Sequence, residues 1–392
     1  MVVVEEEDNQ SEEEEIVTEQ FVDEEDDDGL LLFPAHLSHS LRELFIVDCP
    51  ELILALVTEH EEETGRHGLQ ALRSLESLEI RWCSKFLSAY KSSSSFGFPP
   101  FLEDLDMYDE DGIFEMHSRT ELFIKGGDST CEALWPLLTQ DQLSSLKVKK
   151  SNFFCRLGGL QEEQLLLLKR SFKPWKLDTD DMSGFLVKPI CSLLSSSLTR
   201  LQFGGNDEVE HFTEEQEEAL QLLTSLQDLQ FYTCKKLQCL PMGLHRLTNF
   251  KKLKIKDCPS IRIRSLPLLS SLEQLKVKDC KKLQRHLTQL HTLTNLKKLK
   301  ICDCSSIRSL PLPSSLEQLK VKDCKKLRYL FAELHTLTNL KTLEIVNCPS
   351  IRSLPKGGLP SSLEELDVSD CGNKKLKQRC SKLMGTIPNI IL

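Results

Sequence analysis

The chain has 392 residues, 40% hydrophobic and only 6% aromatic, which is enough apolar side chain for an ordered core built mainly of leucine. Its longest apolar runs fall far short of the roughly 20 residues that cross a bilayer, which excludes a membrane-spanning helix. The formal net charge of −11 hides an asymmetry, because residues 1–28 hold fifteen Asp and Glu and no Lys or Arg, whereas residues 250–330 hold twenty Lys and Arg against six acids.

The start MVVVEEED has neither the basic region nor the apolar stretch of a secretory signal. The expectation is therefore a cytoplasmic protein, with the nucleus also open to it, whose fifteen cysteines are reduced thiols. Residues 1–28 are too acidic and too poor in apolar groups to fold alone and read as a disordered acidic tail.

From residue 29 to residue 392 one pattern recurs, L-x-x-L-x-L-x-x-C, in which other apolar residues replace leucine. It is clear from Leu41, Leu75, Leu226, Phe250, Leu272, Leu296, Leu316, Leu340 and Leu363, and weaker from Leu102, Leu143 and Leu198. The segment TELFIKGG from Thr120 is a further candidate, giving about twelve or thirteen units. The phrase LEQLKVKDCKKL occurs twice, from Leu272 and from Leu316. Beyond residue 222 the array is regular, with successive units starting 24, 22, 24, 20, 24 and 23 residues apart, the period of leucine-rich repeats. Each x-L-x-L-x segment predicts a short strand with two inward side chains. The expected fold is an α/β repeat, a leucine-rich-repeat solenoid or horseshoe with a parallel concave β-sheet and an irregular convex side. Between about 109 and 205 the period loosens, and QEEQLLLLKRSFKPWKLDTDDMSG predicts a helix and loop bulging from the stack.

Nine of the fifteen cysteines end a repeat, where a small inward group bonds to the adjoining loop, so they read as structural. Cys302 and Cys304 alone form a C-x-C pair, too few ligands for zinc. The histidines of the LHxLTN phrases (His245, His291, His335) recur because the unit recurs and read as solvated. DTDDMSG lacks the ligand spacing and distal Glu of a calcium loop. The chain contains no G-x-S-x-G, G-x-G-x-x-G or H-E-x-x-H motif. The expectation is a non-enzyme without cofactor or metal.

The run LTNLKTLEIVNCPSIRSLPKGGLPSSLEELDVSDC, with its LP-SSLEEL and NCPSIRSLP phrases, resembles the C-terminal repeat region of plant intracellular nucleotide-binding leucine-rich-repeat (NLR) disease resistance proteins of the cereal type. The resemblance covers roughly residues 30–392. It implies a module that recognises pathogen effectors or guarded host proteins and restrains a nucleotide-binding switch. No G-x-x-x-x-G-K-[ST] phosphate loop occurs in these 392 residues, so the ATPase switch is missing and what carries over is partner recognition. The alternative is a stand-alone leucine-rich-repeat scaffold or substrate adaptor outside immunity.

On the concave sheet the exposed positions beside the inward residues are Lys254 and Lys256, Lys276 and Lys278, Lys300 with Cys302, Lys320 and Lys322, then Glu344 and Asp367. These nine charged residues are the candidate partner-binding site. The lysines form two columns, suited to an acidic protein partner or to an intramolecular contact with residues 1–28. Nucleic acid ranks below both because no aromatics interleave the columns, and no membrane contact is expected.

Overall fold

The computed structural model describes residues 2–5, 30, 31, 33, 34, 37–54, 66, 67, 69, 72–86, 98, 99, 101–109, 112–126, 134, 137–139, 142–262, 269–282, 287–328, 333–355, 357–371 and 374–392. They fall into two compact units, Met1–Phe185 and Leu186–Leu392. Each unit is built on a ladder of short strands. No helix among the described residues is long and apolar enough to cross a membrane.

The first unit contains β1 (Val2–Glu5), β2 (Glu43–Val47), β3 (Ser77–Arg81), β4 (Asp104–Asp109), β5 (Gly112–His117), β6 (Glu121–Gly126), β7 (Ser145–Lys149) and β8 (Lys176–Thr179). β2, β3 and β4 are parallel neighbours, as are β6, β7 and β8. Between these runs β5 is antiparallel to both β4 and β6. The reversal follows from connection length, since a parallel return needs a dozen or more residues and only residues 110 and 111 separate β4 from β5. The β5–β6 connection is three residues long, with Ser118 and Arg119 both at positive φ (51° and 55°), as a primed turn requires.

Two segments take a definite form in the structure. Val2–Glu5, read as part of a disordered tail, form β1 and pair antiparallel with β2; residues 6–28 lie outside the described residues. The segment expected to bulge from the stack does contain a helix, Glu162–Ser171, but it leads into β8, which joins the ladder beside β7. The repeat there is disguised because Pro174 and Thr179 occupy apolar positions of the pattern. Thr179 is fully buried and its Oγ1 accepts the N–H of Asp181 at 3.0 Å, which satisfies the polar atom locally.

The described residues of the second unit form nine strands: β9 (Arg200–Gly204), β10 (Asp228–Tyr232), β11 (Lys252–Lys256), β12 (Gln274–Lys278), β13 (Lys298–Cys302), β14 (Gln318–Lys322), β15 (Thr342–Val346), β16 (Glu365–Asp367) and β17 (Asn389–Ile391). All adjacent pairs are parallel and in register. Leu229, Leu253, Leu275, Leu299, Leu319 and Leu343 therefore stack in one buried row. Phe231, Ile255, Val277, Ile301, Val321 and Ile345 stack in a second. This is a leucine-rich-repeat ladder, and its return segments are 3₁₀ turns (Met242–Arg246, Leu287–Thr292, Leu334–Thr336) and short helices such as Glu214–Gln221.

One backbone device ends most strands. The residue before the terminal cysteine sits in the left-handed region: Thr233, Asp257, Asp279, Asp303, Asp323, Asn347 and Asp370 have φ between 48° and 57°. Asp and Asn are the non-glycine residues that tolerate it best. The bend lets the N–H of Asp257, Asp279, Asp303 and Asp323 donate to the carbonyl that ends the next strand, at 3.0–3.1 Å. It also turns the cysteine inward. Cys258, Cys280, Cys304, Cys324, Cys348 and Cys371 are all buried, and their thiols donate to backbone carbonyls; Cys258 reaches Lys256 O at 3.3 Å and Cys371 reaches Ile345 O at 3.0 Å. Burial pushes the Cys304 thiol up to about 11.

Candidate functional site: a basic sheet face

In a strand of period two, the residues between the buried leucines must face the other way. The register then fixes three rows on the solvent-facing side of the second unit. Lys254, Lys276, Lys300, Lys320, Glu344 and Asp367 form the middle row. Lys256, Lys278, Cys302, Lys322 and Val346 form the row toward the strand ends. A third row, Lys252, Gln274, Lys298, Gln318, Thr342 and Glu365, was missed by reading only the positions that flank the second apolar residue. Continuing the alternation one step toward the strand start would have revealed it.

The structure thus brings together all nine residues singled out in the sequence, and it also shows how their charges are distributed. Neighbouring strands lie about 4.8 Å apart, at which distance two ammonium ions repel by roughly 0.9 kcal/mol in water. At one edge the buried Asp228 of β10 accepts a hydrogen bond from Lys254 at 3.5 Å and forms an ion pair with Arg200 at 3.3 Å. At the other edge Glu344, also buried, binds Lys320 and Lys322, the second at 3.4 Å. Lys256 pairs with Asp257 at 3.7 Å and Lys278 with Asp303 at 3.6 Å. The aspartates that end these strands are placed by the left-handed bend, and of Asp257, Asp279, Asp303 and Asp323 only Asp257 and Asp303 pair with a lysine of the columns.

Between these fences lies a block with no ion pair among the described residues: Lys252, Lys276, Lys298 and Lys300. It lines a shallow cavity of about 170 Å³ together with Lys254, Lys320, Gln274 and Gln318. Cys302 sits in the neighbouring row, between Lys278 and Lys322. Its thiol is pushed up by burial, an effect that the ammonium groups of Lys300, Lys276 and Lys278 oppose.

The corresponding face of the first unit has the opposite character. Phe45, Glu79, Asp106, Glu115 and Phe123 share its middle row. Arg81 is held there by Asp106 and Glu79, each at 2.9 Å, and the Asp106 hydrogen bond raises its pKa further. Lys149 pairs with Asp178 at 2.7 Å. Both of these cations have a carboxylate partner on an adjacent strand, and Lys147 lies over the Phe123 ring at 4.2 Å. No group of three or more His, Cys, Asp or Glu side chains converges as metal ligands among the described residues.

Fold and face together define a leucine-rich-repeat protein with a strongly basic sheet surface. No family model matches the sequence, and no curated protein matches it. Among solved structures the chain is similar to the leucine-rich repeat domain of the type III effector XopL, with 18% identity and a TM-score of 0.38 over 63% of this chain and 82% of that one. It is also similar to a chain of the Toll–Spatzle complex of Drosophila, with 13% identity and a TM-score of 0.48 over 72% and 42%. A third similarity is to the functional domain of InlJ from Listeria monocytogenes, which includes a cysteine ladder, with 17% identity and a TM-score of 0.40 over 80% and 59%. The chain spans less than two thirds of the Toll–Spatzle and InlJ chains. The fold assignment stands on the ladder's own register and repeat.

Proposed function

We propose that the chain is a protein-recognition module of the plant NLR immune-receptor type, without an ATPase switch of its own, that holds an acidic partner on the lysine rows of its second unit. The observation that carries this reading is the placement of charge. Buried carboxylates neutralise the edges of the field, while Lys252, Lys276, Lys298 and Lys300 face solvent without an ion pair. Repulsion within the block is relieved when an anion arrives, and the field steers acidic surfaces toward it. Residues 1–28, with fifteen acids, are an internal competitor for the same surface. The phrases shared with cereal receptors support the immune setting.

Two measurements test this. Binding of an oligoglutamate peptide at low salt is expected for the native chain and strongly reduced in a Lys254→Glu, Lys276→Glu, Lys320→Glu variant; equal binding by both refutes the face. Adding the chain in trans to a cereal receptor's nucleotide-binding module is expected to lower that module's ATP turnover. No change there favours a scaffold or adaptor outside immunity.

A further inference from the structure

We propose that the unpaired block of Lys252, Lys276, Lys298 and Lys300 is a binding site for a compact small-molecule oligophosphate, an inference that rests on the reading of this face as the binding surface. Register places Lys276 directly opposite Lys300, with Lys252 and Lys298 on either side of Gln274. The four ammonium groups therefore stand on three adjacent strands, a span of roughly 10 Å. The surrounding lysines are already compensated, Lys254 by Asp228, Lys278 by Asp303, and Lys320 and Lys322 by Glu344. The charge left to neutralise is concentrated at the centre.

The cavity there, about 170 Å³, matches the volume of roughly five or six waters at about 30 Å³ each. It has room for a small ligand at the centre of the face. Charge density then selects the chemistry. An extended peptide presents same-face side chains about 7 Å apart, so a 10 Å stretch brings about two carboxylates of one charge each. A phosphate group carries about −1.5 to −2 with three acceptor oxygens, and two or three linked phosphates supply the four charges within the same span. Lysine suits this task, with three donors on a point charge and no acceptor to repel the anion. Gln274 and Gln318 also line the cavity, beside Leu253, Leu275 and Leu299.

The experiment is calorimetric titration of the full chain at physiological salt with inorganic tripolyphosphate and, separately, with an oligoglutamate peptide of equal charge. Tripolyphosphate is expected to bind one to one and about tenfold tighter than the peptide, or better. The double variant Lys276→Gln, Lys300→Gln should lose about tenfold or more of that affinity, with thermal unfolding confirming that it folds. The control Lys325→Gln, Lys326→Gln, on exposed residues outside the face, should retain it. Peptide binding as tight as tripolyphosphate binding overturns the phosphate assignment and leaves the acidic-partner reading standing. Binding of neither probe overturns both, and an equal loss in the control variant overturns the location.

Discussion

Asp279 turns through the left-handed region at φ 48° and donates its backbone N–H to the carbonyl of Cys302 on the next strand at 3.1 Å. This one bond shows why Asp stands at the strand end: its backbone tolerates the bend, and the bend aims the N–H across the ladder and the following cysteine inward. A β-branched residue tolerates that bend poorly. Asp279→Val is expected to lower stability by about 1–2 kcal/mol, whereas Asp279→Gly leaves it nearly unchanged, as read from urea midpoints.

Glu344 is buried between Lys320 and Lys322, so Glu344→Gln strands two ammonium groups and loses a charged acceptor. Because both lysines keep about a third of their surface in water (34% and 37%), the expected destabilisation is about 1 kcal/mol. Binding of a polyanion should become tighter at the same time, because two more lysines are left uncompensated. A variant that loses stability without gaining anion affinity would separate these lysines from the field.

The cysteine stripe should resist a thiol reagent. Cys155 is exposed and is expected to label quickly, whereas Cys258, Cys280, Cys304, Cys324, Cys348 and Cys371 should label only on unfolding. Rapid native labelling of those six would mean that the strand register is wrong by one residue.

The same thiols set a pH dependence. Burial raises Cys83 and Cys304 from the ordinary 9.0 to about 11, so between these values the unfolded chain has released protons that the folded chain retains. Their contribution is fully present below pH 9 and is lost as pH rises through about 11. The slope is about 1.4 kcal/mol per pH unit for each such thiol, measurable as a falling urea midpoint on the alkaline side alone.

The segment expected to bulge gives a contrast within one stretch of chain. Leu177 of β8 is fully buried and Leu166 of the preceding helix is 57% exposed. Leu177→Ala should destabilise by about 2–5 kcal/mol, while Leu166→Ala should stay within about 0.5 kcal/mol. Equal effects would remove β8 from the ladder.

The acidic run can be tested separately from β1 by deleting residues 6–28 only. If the run competes for the lysine rows, tripolyphosphate affinity at low salt rises on deletion, and the difference vanishes at high salt as exposed charges are screened. Unchanged affinity at low salt would show that the run does not guard this surface.

The sequence alone determined the repeat, the two inward rows, the inward cysteines and the lysine columns, because each follows from a local period: two along a strand and about 23 along the chain. Lys254 and Lys276 could be placed side by side without coordinates. Sequence could not reach features that depend on which strand neighbours which. Thr179 hides a repeat because its buried hydroxyl is satisfied by a turn that only the folded backbone makes. The reversal at β5 turned on a connection only two residues long, 110 and 111, which the repeat pattern passes over. The split of the lysines into fenced and unfenced groups was decided by Asp228 and Glu344, which reach their partners across strands 22 to 28 residues away in the chain. Charge compensation acts through space, over a few ångströms, and only the tertiary structure says whose ångströms those are.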